Sequence, residues 1–261
     1  MKQLFSALLL FIALSISAQQ ADNVRAPFDP APVKMEESMR GEVMKLTLDD
    51  SHLYPGTERE ILVYVPQQYT AERPACLLVC MDGILYDATT VMDNLIASGE
   101  MPVTIGVFIQ PGVVHDEEGD VVRYNRCKEF DSTDDLFVTF IETEVLAKVE
   151  GMQTASGKTI HLSHDANDRA ITGASSGGIA AFTAAWNRPD LFSRVYTTVG
   201  TFVAMRGGHE YPAVVRKTEP KPLRIYMQDG WYDVWNPIFG PSPLYSSEHF
   251  GTAGRQCPRS F

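Results

Sequence analysis

Gly173-Ala174-Ser175-Ser176-Gly177-Gly178 contains a G-x-S-x-G pattern between two apolar runs. Residues 168–173 predict a short buried strand that leads into it, and residues 179–186 predict a helix behind it. A serine on such a sharp strand-to-helix turn projects its hydroxyl into a cleft, while the flanking glycines let neighbouring backbone pass closely. Amides at the helix start would face an oxygen that becomes negative during acyl transfer. The pattern predicts a nucleophilic Ser175; an ordinary Gly-Ser turn is the alternative.

The first 18 residues predict a secretory signal that is not part of the fold. Lys2 precedes an apolar run over residues 4–16, and Ser17-Ala18-Gln19 indicates cleavage after Ala18. The run is shorter than the ~20 residues that a membrane span needs. No cysteine directly follows the cleavage site, which argues against a lipoprotein anchor. We therefore expect a secreted or periplasmic protein without a membrane anchor. Losing Lys2 takes the formal net charge from −11 to −12, which argues against a nucleic-acid partner.

The positions of cysteine and histidine predict neither disulfides nor a metal site. Cys76 and Cys80 lie four residues apart in one apolar strand, so their side chains share a face about 13 Å apart and cannot pair. Another two cysteines lie in predicted loops. His161 and His164 are three residues apart in a polar segment, which favours solvated side chains over metal ligands. We expect no metal and no organic cofactor.

The order of predicted elements determines the predicted fold class. Two strands without an intervening helix are followed by strands that alternate with helices. This order predicts an α/β-hydrolase, in which an antiparallel N-terminal hairpin leads into a mostly parallel sheet, with residues 19–240 as one domain. The predicted strands are residues 42–48, 60–66, 75–81, 103–109, 169–173, 194–203 and 223–228, and the predicted helices are residues 89–98, 133–149 and 178–187.

Six further segments, together with the serine motif, carry a family resemblance. They are Pro55-Gly-Thr-Glu-Arg-Glu60, Val63-Tyr-Val-Pro66, Met81-Asp-Gly83, Asp93-Asn-Leu-Ile96, Pro102-Val-Thr-Ile-Gly-Val-Phe108 and Pro111-Gly112. Over about residues 40 to 236 the chain resembles the secreted esterase D-type family, which groups enterochelin esterases, feruloyl and acetylxylan esterases and mycolyltransferase-like antigens. The resemblance implies hydrolysis of a carboxylic ester, either an acylated carbohydrate or a siderophore-type ester. An acyltransferase using the same residues is the alternative.

A triad acid must orient the catalytic histidine, and in this fold it follows a strand beyond the serine. Asp233 fits, because it closely follows the predicted strand 223–228 and resembles the family's Asp-Gly-x-x-Asp motif. Asp229 is the competing carboxylate, although its position before Gly230 favours a turn. A third possibility is that both residues only form the turn.

The oxyanion is expected to be bound by the amide of Ser176, which follows the nucleophile. The resemblance to mycolyltransferase-like members implies the amide of Ile84 as the second donor; a plain turn at the strand end is the alternative. Residues 125–131 resemble the family's Asn-Arg-x-x-Glu-Tyr-Asp motif. Within that motif, Arg126 and Glu129 are predicted either to line the acyl cleft or to pair with each other.

The catalytic histidine is the weakest element of the pattern. In the order Ser, Asp, His it must follow Asp233, and only His249 does. Residues 241–261 show neither strand nor helix periodicity and resemble an out-of-frame end, so we expect an irregular tail. The closing strand and helix would then be missing, leaving a sheet edge and an apolar face exposed. The chain is accordingly expected to be nearly inactive, with an inactive binding protein as the alternative class.

Overall fold

The computed structural model describes residues 34–202 and 206–229, together with the backbone of residues 235–236 and 240–241. The predicted signal segment therefore lies outside the described residues. So do Asp233, His249 and nearly all of the predicted tail, apart from Pro241.

Seven strands form one mixed sheet in the order β1-β2-β4-β3-β7-β8-β9. β2 pairs antiparallel with both β1 and β4, whereas the pairs from β4 to β9 are parallel. The predicted antiparallel entry into a mostly parallel sheet is thus confirmed. The strands are β1 (Glu42–Leu48), β2 (Arg59–Val65), β3 (Cys76–Met81), β4 (Thr104–Ile109), β7 (Arg169–Ala174), β8 (Arg194–Thr198) and β9 (Arg224–Gln228).

Burial along the strands follows their place in the sheet. Every residue of β4 is buried, because this strand lies inside the sheet with both faces covered. β1 instead alternates between more and less exposed residues, as expected at an edge with one face towards the core. The main core joins the central strands to helices from residues 130 to 211, and a smaller core on the other sheet face contains Tyr64, Met92 and Phe108.

Within the described ranges, six α-helical segments accompany the sheet. They are α1 (Ala88–Ala97), α2 (Arg126–Phe130), α3 (Leu136–Phe140), α4 (Ala147–Glu150), α5 (Ser176–Asn187) and α6 (Tyr211–Lys217). α3 and α4 are joined by a π-helical stretch, Ile141–Leu146, so the predicted helix over 133–149 has an irregular middle. No helix among the described residues is both long and apolar enough to cross a membrane.

Four features differ from the sequence prediction, and one of them is α6, a helix that was not predicted. β8 ends at Thr198 and not at residue 203, since Val199 has a φ of 43° and turns the chain out of the strand. A hairpin of β5 (Val113–His115) and β6 (Val121–Tyr124) follows β4, and α2 follows directly after it. Residues 235–236 and 240–241 form a two-residue antiparallel pair, β10 and β11, at the start of the predicted irregular tail.

One face of the sheet is open beside α1. A groove of about 570 Å³ runs over β3, β7, β8 and β9, and its lining is mostly apolar. The rings of Tyr196 and Tyr226 contact each other there at a tilt of 56°, and both side chains remain exposed. In the described part of the chain, β9 also forms one edge of the sheet.

Candidate active site

Ser175 occupies a strained turn between β7 and α5. Its φ of 58° and ψ of −123° are unusual for a residue with a side chain, and such a conformation costs about 1–3 kcal/mol. The backbone is held there because the Ser175 amide donates to the Thr198 carbonyl over 3.0 Å. Ser175 is exposed, whereas Ser176 behind it is buried. The strand-turn-helix geometry predicted for the serine motif is therefore present.

Glycines surround the turn because the backbone segments touch. A Cβ on Gly173 would overlap the carbonyl group of Gly177, the second residue of α5. A Cβ on Gly178 would lie 2.6 Å from the Thr197 hydroxyl oxygen on β8. Such contacts are too close for any side chain, so the motif needs glycine for close packing of helix against strand.

The loop after β3 lies against the same turn. Asp82 and Gly83 both have positive φ, 66° and 81°, so the chain bends sharply at the strand end. A Cβ on Gly177 would lie 3.0 Å from a carboxylate oxygen of Asp82, which places this loop beside the start of α5. The predicted oxyanion donors belong to these two segments. Ser176 is the first residue of α5, where no helix carbonyl can accept from its amide, and Ile84 lies in the loop.

Arg126 connects these segments through a two-pronged ion pair. Its Nε donates to Asp82 Oδ1 over 2.7 Å and its Nη2 donates to Asp82 Oδ2 over 2.8 Å. Nη2 also lies 3.4 Å from the carbonyl oxygen of Ala174, the residue before the nucleophile. The bond to Asp82 outweighs partial burial and raises the pKa of the Arg126 guanidinium. Arg126 thus lies beside the Ser175 turn, and its predicted role in lining an acyl cleft stays a prediction.

Glu129 has a different partner and no exposed side-chain surface. It accepts two hydrogen bonds from Arg59 of β2, over 2.7 and 3.0 Å, and one from the Gly112 amide over 3.1 Å. The prediction that Arg126 and Glu129 pair with each other is therefore wrong: they belong to two separate ion pairs. A carboxylate enclosed in this way has no surface to offer to a substrate, so Glu129 has a structural role in tying α2 to β2.

Asp131 ends the same short motif and is fully buried. Neither of its oxygens has hydrogen-bond geometry with any residue that the structure describes. Burial raises the pKa of this carboxyl, although the nearby Ser176 hydroxyl and Cys127 thiol and two arginines act to lower it. A buried carboxylate therefore lies next to Ser176, the residue that follows the candidate nucleophile. No role for Asp131 was predicted from the sequence.

The triad partners of Ser175 are not among the described contacts. The hydroxyl of Ser175 lies 3.2 Å from that of Thr201, and none of the described histidines hydrogen-bonds to it. Both predicted partners, Asp233 and His249, lie outside the described residues. The competing acid, Asp229, directly follows β9.

The described cysteines and histidines show no site of their own. Cys76, Cys80 and Cys127 are free thiols. His164 contacts Arg169 and Glu150 at the surface. Across the described ranges, no cluster of three or more His, Cys, Asp or Glu could hold a metal ion.

Comparison with known families identifies this arrangement. A family model described as "Putative esterase" matches residues 53–204, more than half of the chain, and includes the serine turn, the Asp82 loop and α2. The chain belongs to this esterase family. Membership supports ester hydrolysis as the class of activity. A search of curated proteins gives no match.

Solved structures of esterases share the fold. An enterobactin esterase from Shigella flexneri superposes with a TM-score of 0.63 at 18% identity, over 88% of this chain and 56% of that one. A ferulic acid esterase from the fungus Anaeromyces mucronatus gives a TM-score of 0.62 at 17% identity, over 88% and 85%. A feruloyl esterase module from Clostridium thermocellum gives 0.52 at 15%, over 79% and 72%. The chain spans about half the length of the enterobactin esterase, and the predicted α/β-hydrolase fold is confirmed.

Proposed function

We propose that the protein is a serine carboxylic-ester hydrolase with Ser175 as its nucleophile. The observation that carries the proposal is the strained, exposed Ser175 between a buried strand and the start of a helix. Strain of this kind is maintained only where surrounding packing enforces it, and here three glycines and the Thr198 carbonyl do so. A Gly-Ser turn without catalytic use would have no need of this conformation.

In the proposed reaction, the Ser175 hydroxyl attacks the ester carbonyl and passes its proton to a histidine. His249 is the candidate base and Asp233 the candidate acid that orients it, with Asp229 as the competing acid. The tetrahedral oxyanion accepts hydrogen bonds from the amides of Ser176 and Ile84. The histidine then protonates the leaving alcohol, and a water molecule, deprotonated by the same base, hydrolyses the acyl-enzyme.

The proposed substrate is an acylated carbohydrate or a siderophore-type ester. Structural neighbours that act on enterobactin and on ferulic acid esters support this range. Two aromatic side chains also flank the candidate site in sequence: Tyr86 follows the Asp82 loop and Tyr124 precedes α2, and each is about 70% exposed. Exposed aromatic rings suit an aromatic acyl group. The signal-like residues 1–18 support secretion or transfer to the periplasm.

The test compares serine variants on a panel of esters. Residues 19–261 are expressed as wild type, Ser175→Ala and Ser98→Ala, and hydrolysis of p-nitrophenyl acetate, feruloyl sugars and a catecholate trilactone is measured. Ser98 is an exposed serine at the end of α1, so it controls for loss of any surface hydroxyl. We expect Ser175→Ala alone to abolish turnover on whichever ester is cleaved, by about 10⁴-fold for a complete triad. Turnover that survives in Ser175→Ala would refute the assignment.

A further inference from the structure

We infer that the Asp82–Arg126 ion pair is a positioning device for the oxyanion loop and not a substrate-binding group. The inference rests on the proposed function, because it concerns how the second oxyanion donor is held. It assigns a role to Asp82, which so far stood only as part of the Met81-Asp-Gly83 motif, and it revises the predicted role of Arg126.

Asp82 is fixed from three directions. Its amide donates to the Ile109 carbonyl on β4 over 2.9 Å, and its carbonyl accepts from the Gln110 side chain over 3.4 Å. Both of its carboxylate oxygens accept from Arg126. The residue adopts φ of 66°, which aspartate tolerates better than most residues. Both oxygens of the Asp82 side chain are thus bonded, and they fix the position at which the loop toward Ile84 begins.

Arg126 is anchored as firmly as the loop that it holds. It is the first residue of α2, and three residues later Glu129 ties the same helix to Arg59 inside the core. The Arg126 guanidinium lies 5.6 Å from the centre of the Phe130 ring and also reaches the Ala174 carbonyl. A rigid α2 therefore holds both the loop after β3 and the strand end before Ser175.

The contacts of the guanidinium argue against direct substrate binding. Two of its three nitrogens are already committed to Asp82, and the pair is only partly exposed. An anionic substrate would have to compete with a carboxylate in ideal fork geometry, the strongest arrangement for such a bond. The negative charge of Asp82 would also repel that anion.

Displacement of this loop would affect the transition state more than the bound substrate. Oxyanion donors act at 2.7–3.1 Å from a developing charge, and an error of about 1 Å can cost about 100-fold in rate. A positioning role therefore predicts a lower kcat with little change in KM. A substrate contact predicts the reverse, with a raised KM.

The experiment measures loop mobility and kinetics in the same variants. Arg126→Met removes the charge at similar length, Asp82→Asn keeps the left-handed backbone preference without the charge, and Arg126→Lys keeps charge without the fork. The matched control is Arg188→Met, which breaks a similar two-pronged pair with Asp190 outside the candidate site. Hydrogen–deuterium exchange is followed on peptides covering residues 82–88 and 173–180.

We expect Arg126→Met to speed exchange over residues 82–88 by about 10-fold, and Arg188→Met to leave it unchanged. The exchange result applies even to a chain that cleaves no ester of the panel; on an ester that wild type does cleave, kcat should fall about 10- to 100-fold with KM within about twofold, and Arg126→Lys should recover part of kcat. Unchanged exchange, or a raised KM at constant kcat, would overturn the inference. Failure of the proposed function can be distinguished from this result. It would show as turnover that survives in Ser175→Ala, whatever the exchange result.

Discussion

Two arginine–carboxylate ion pairs, each with one member on α2, have the same chemistry in different surroundings. Arg59–Glu129 has no exposed side-chain surface and lies in the core, with Phe140 against the guanidinium. Arg126–Asp82 is partly exposed and lies beside the strand end before Ser175. A short helix can therefore serve stability through one residue and the candidate site through another three positions away. Substitutions should separate the two roles.

The largest effect on stability should come from the buried pair. Glu129→Ala leaves the Arg59 charge buried without its carboxylate, and breaking such a pair costs about 3–5 kcal/mol. For a domain of this size each kcal/mol corresponds to about 2–4 °C in Tm, so a loss of about 6–20 °C is expected by thermal unfolding. A Glu129→Ala protein as stable as wild type would mean that the buried pair carries no structural role.

A smaller effect is expected at Asp131, and its sign depends on pH. Burial raises the pKa of this carboxyl above its unfolded value, so ionisation weakens the folded state. Wild-type stability should therefore fall as pH rises from the unfolded pKa through the raised folded pKa, and stay low above it. Asp131→Asn should remove this dependence and raise stability at neutral pH by about 1 kcal/mol, seen as a higher Tm.

The control for Asp131 is an exposed aspartate with the opposite shift. Its hydrogen bond with Arg188 lowers the pKa of Asp190, so Asp190→Asn should not stabilise the protein at any pH. If Asp131→Asn proves less stable than wild type at neutral pH, the carboxylate has a partner that its geometry does not reveal.

The smallest effect on stability should come from the exposed pair. Arg126→Met removes a partly solvated ion pair, and such pairs contribute about 0–1 kcal/mol. Its Tm should therefore stay within about 4 °C of wild type while its loop exchange changes. A loss as large as that of Glu129→Ala would erase the distinction between the two pairs.

The fold was largely predictable because its signals are local. All seven sheet strands form where apolar runs place them, and six of them match within a residue at each end. β8 is the exception, since the apolar Val199 gives no sign of its positive φ. The β5–β6 hairpin and α2 were not predicted as elements because each is five residues or shorter and their burial depends on tertiary packing.

The site was predictable only in part, for a related reason. The serine turn lies in one continuous motif, so its geometry follows from local sequence. The two ion pairs join residues 44 and 70 positions apart, and no spacing rule links such partners. Asp131 stood out only as the last residue of the motif over 125–131, and its burial could not be foreseen because a buried carboxylate resembles a surface one in sequence. The roles of Asp233 and His249 stay predictions.

The measurement that tests the central claim most directly is the location of a fluorophosphonate label. Residues 19–261 are treated with the probe, with and without added imidazole as a replacement base, and the modified residue is mapped by mass spectrometry. We expect the label on Ser175, faster labelling with imidazole where His249 does not serve as base, and no label in Ser175→Ala. A folded protein labelled on another residue, or unlabelled under both conditions, would contradict Ser175 as the nucleophile.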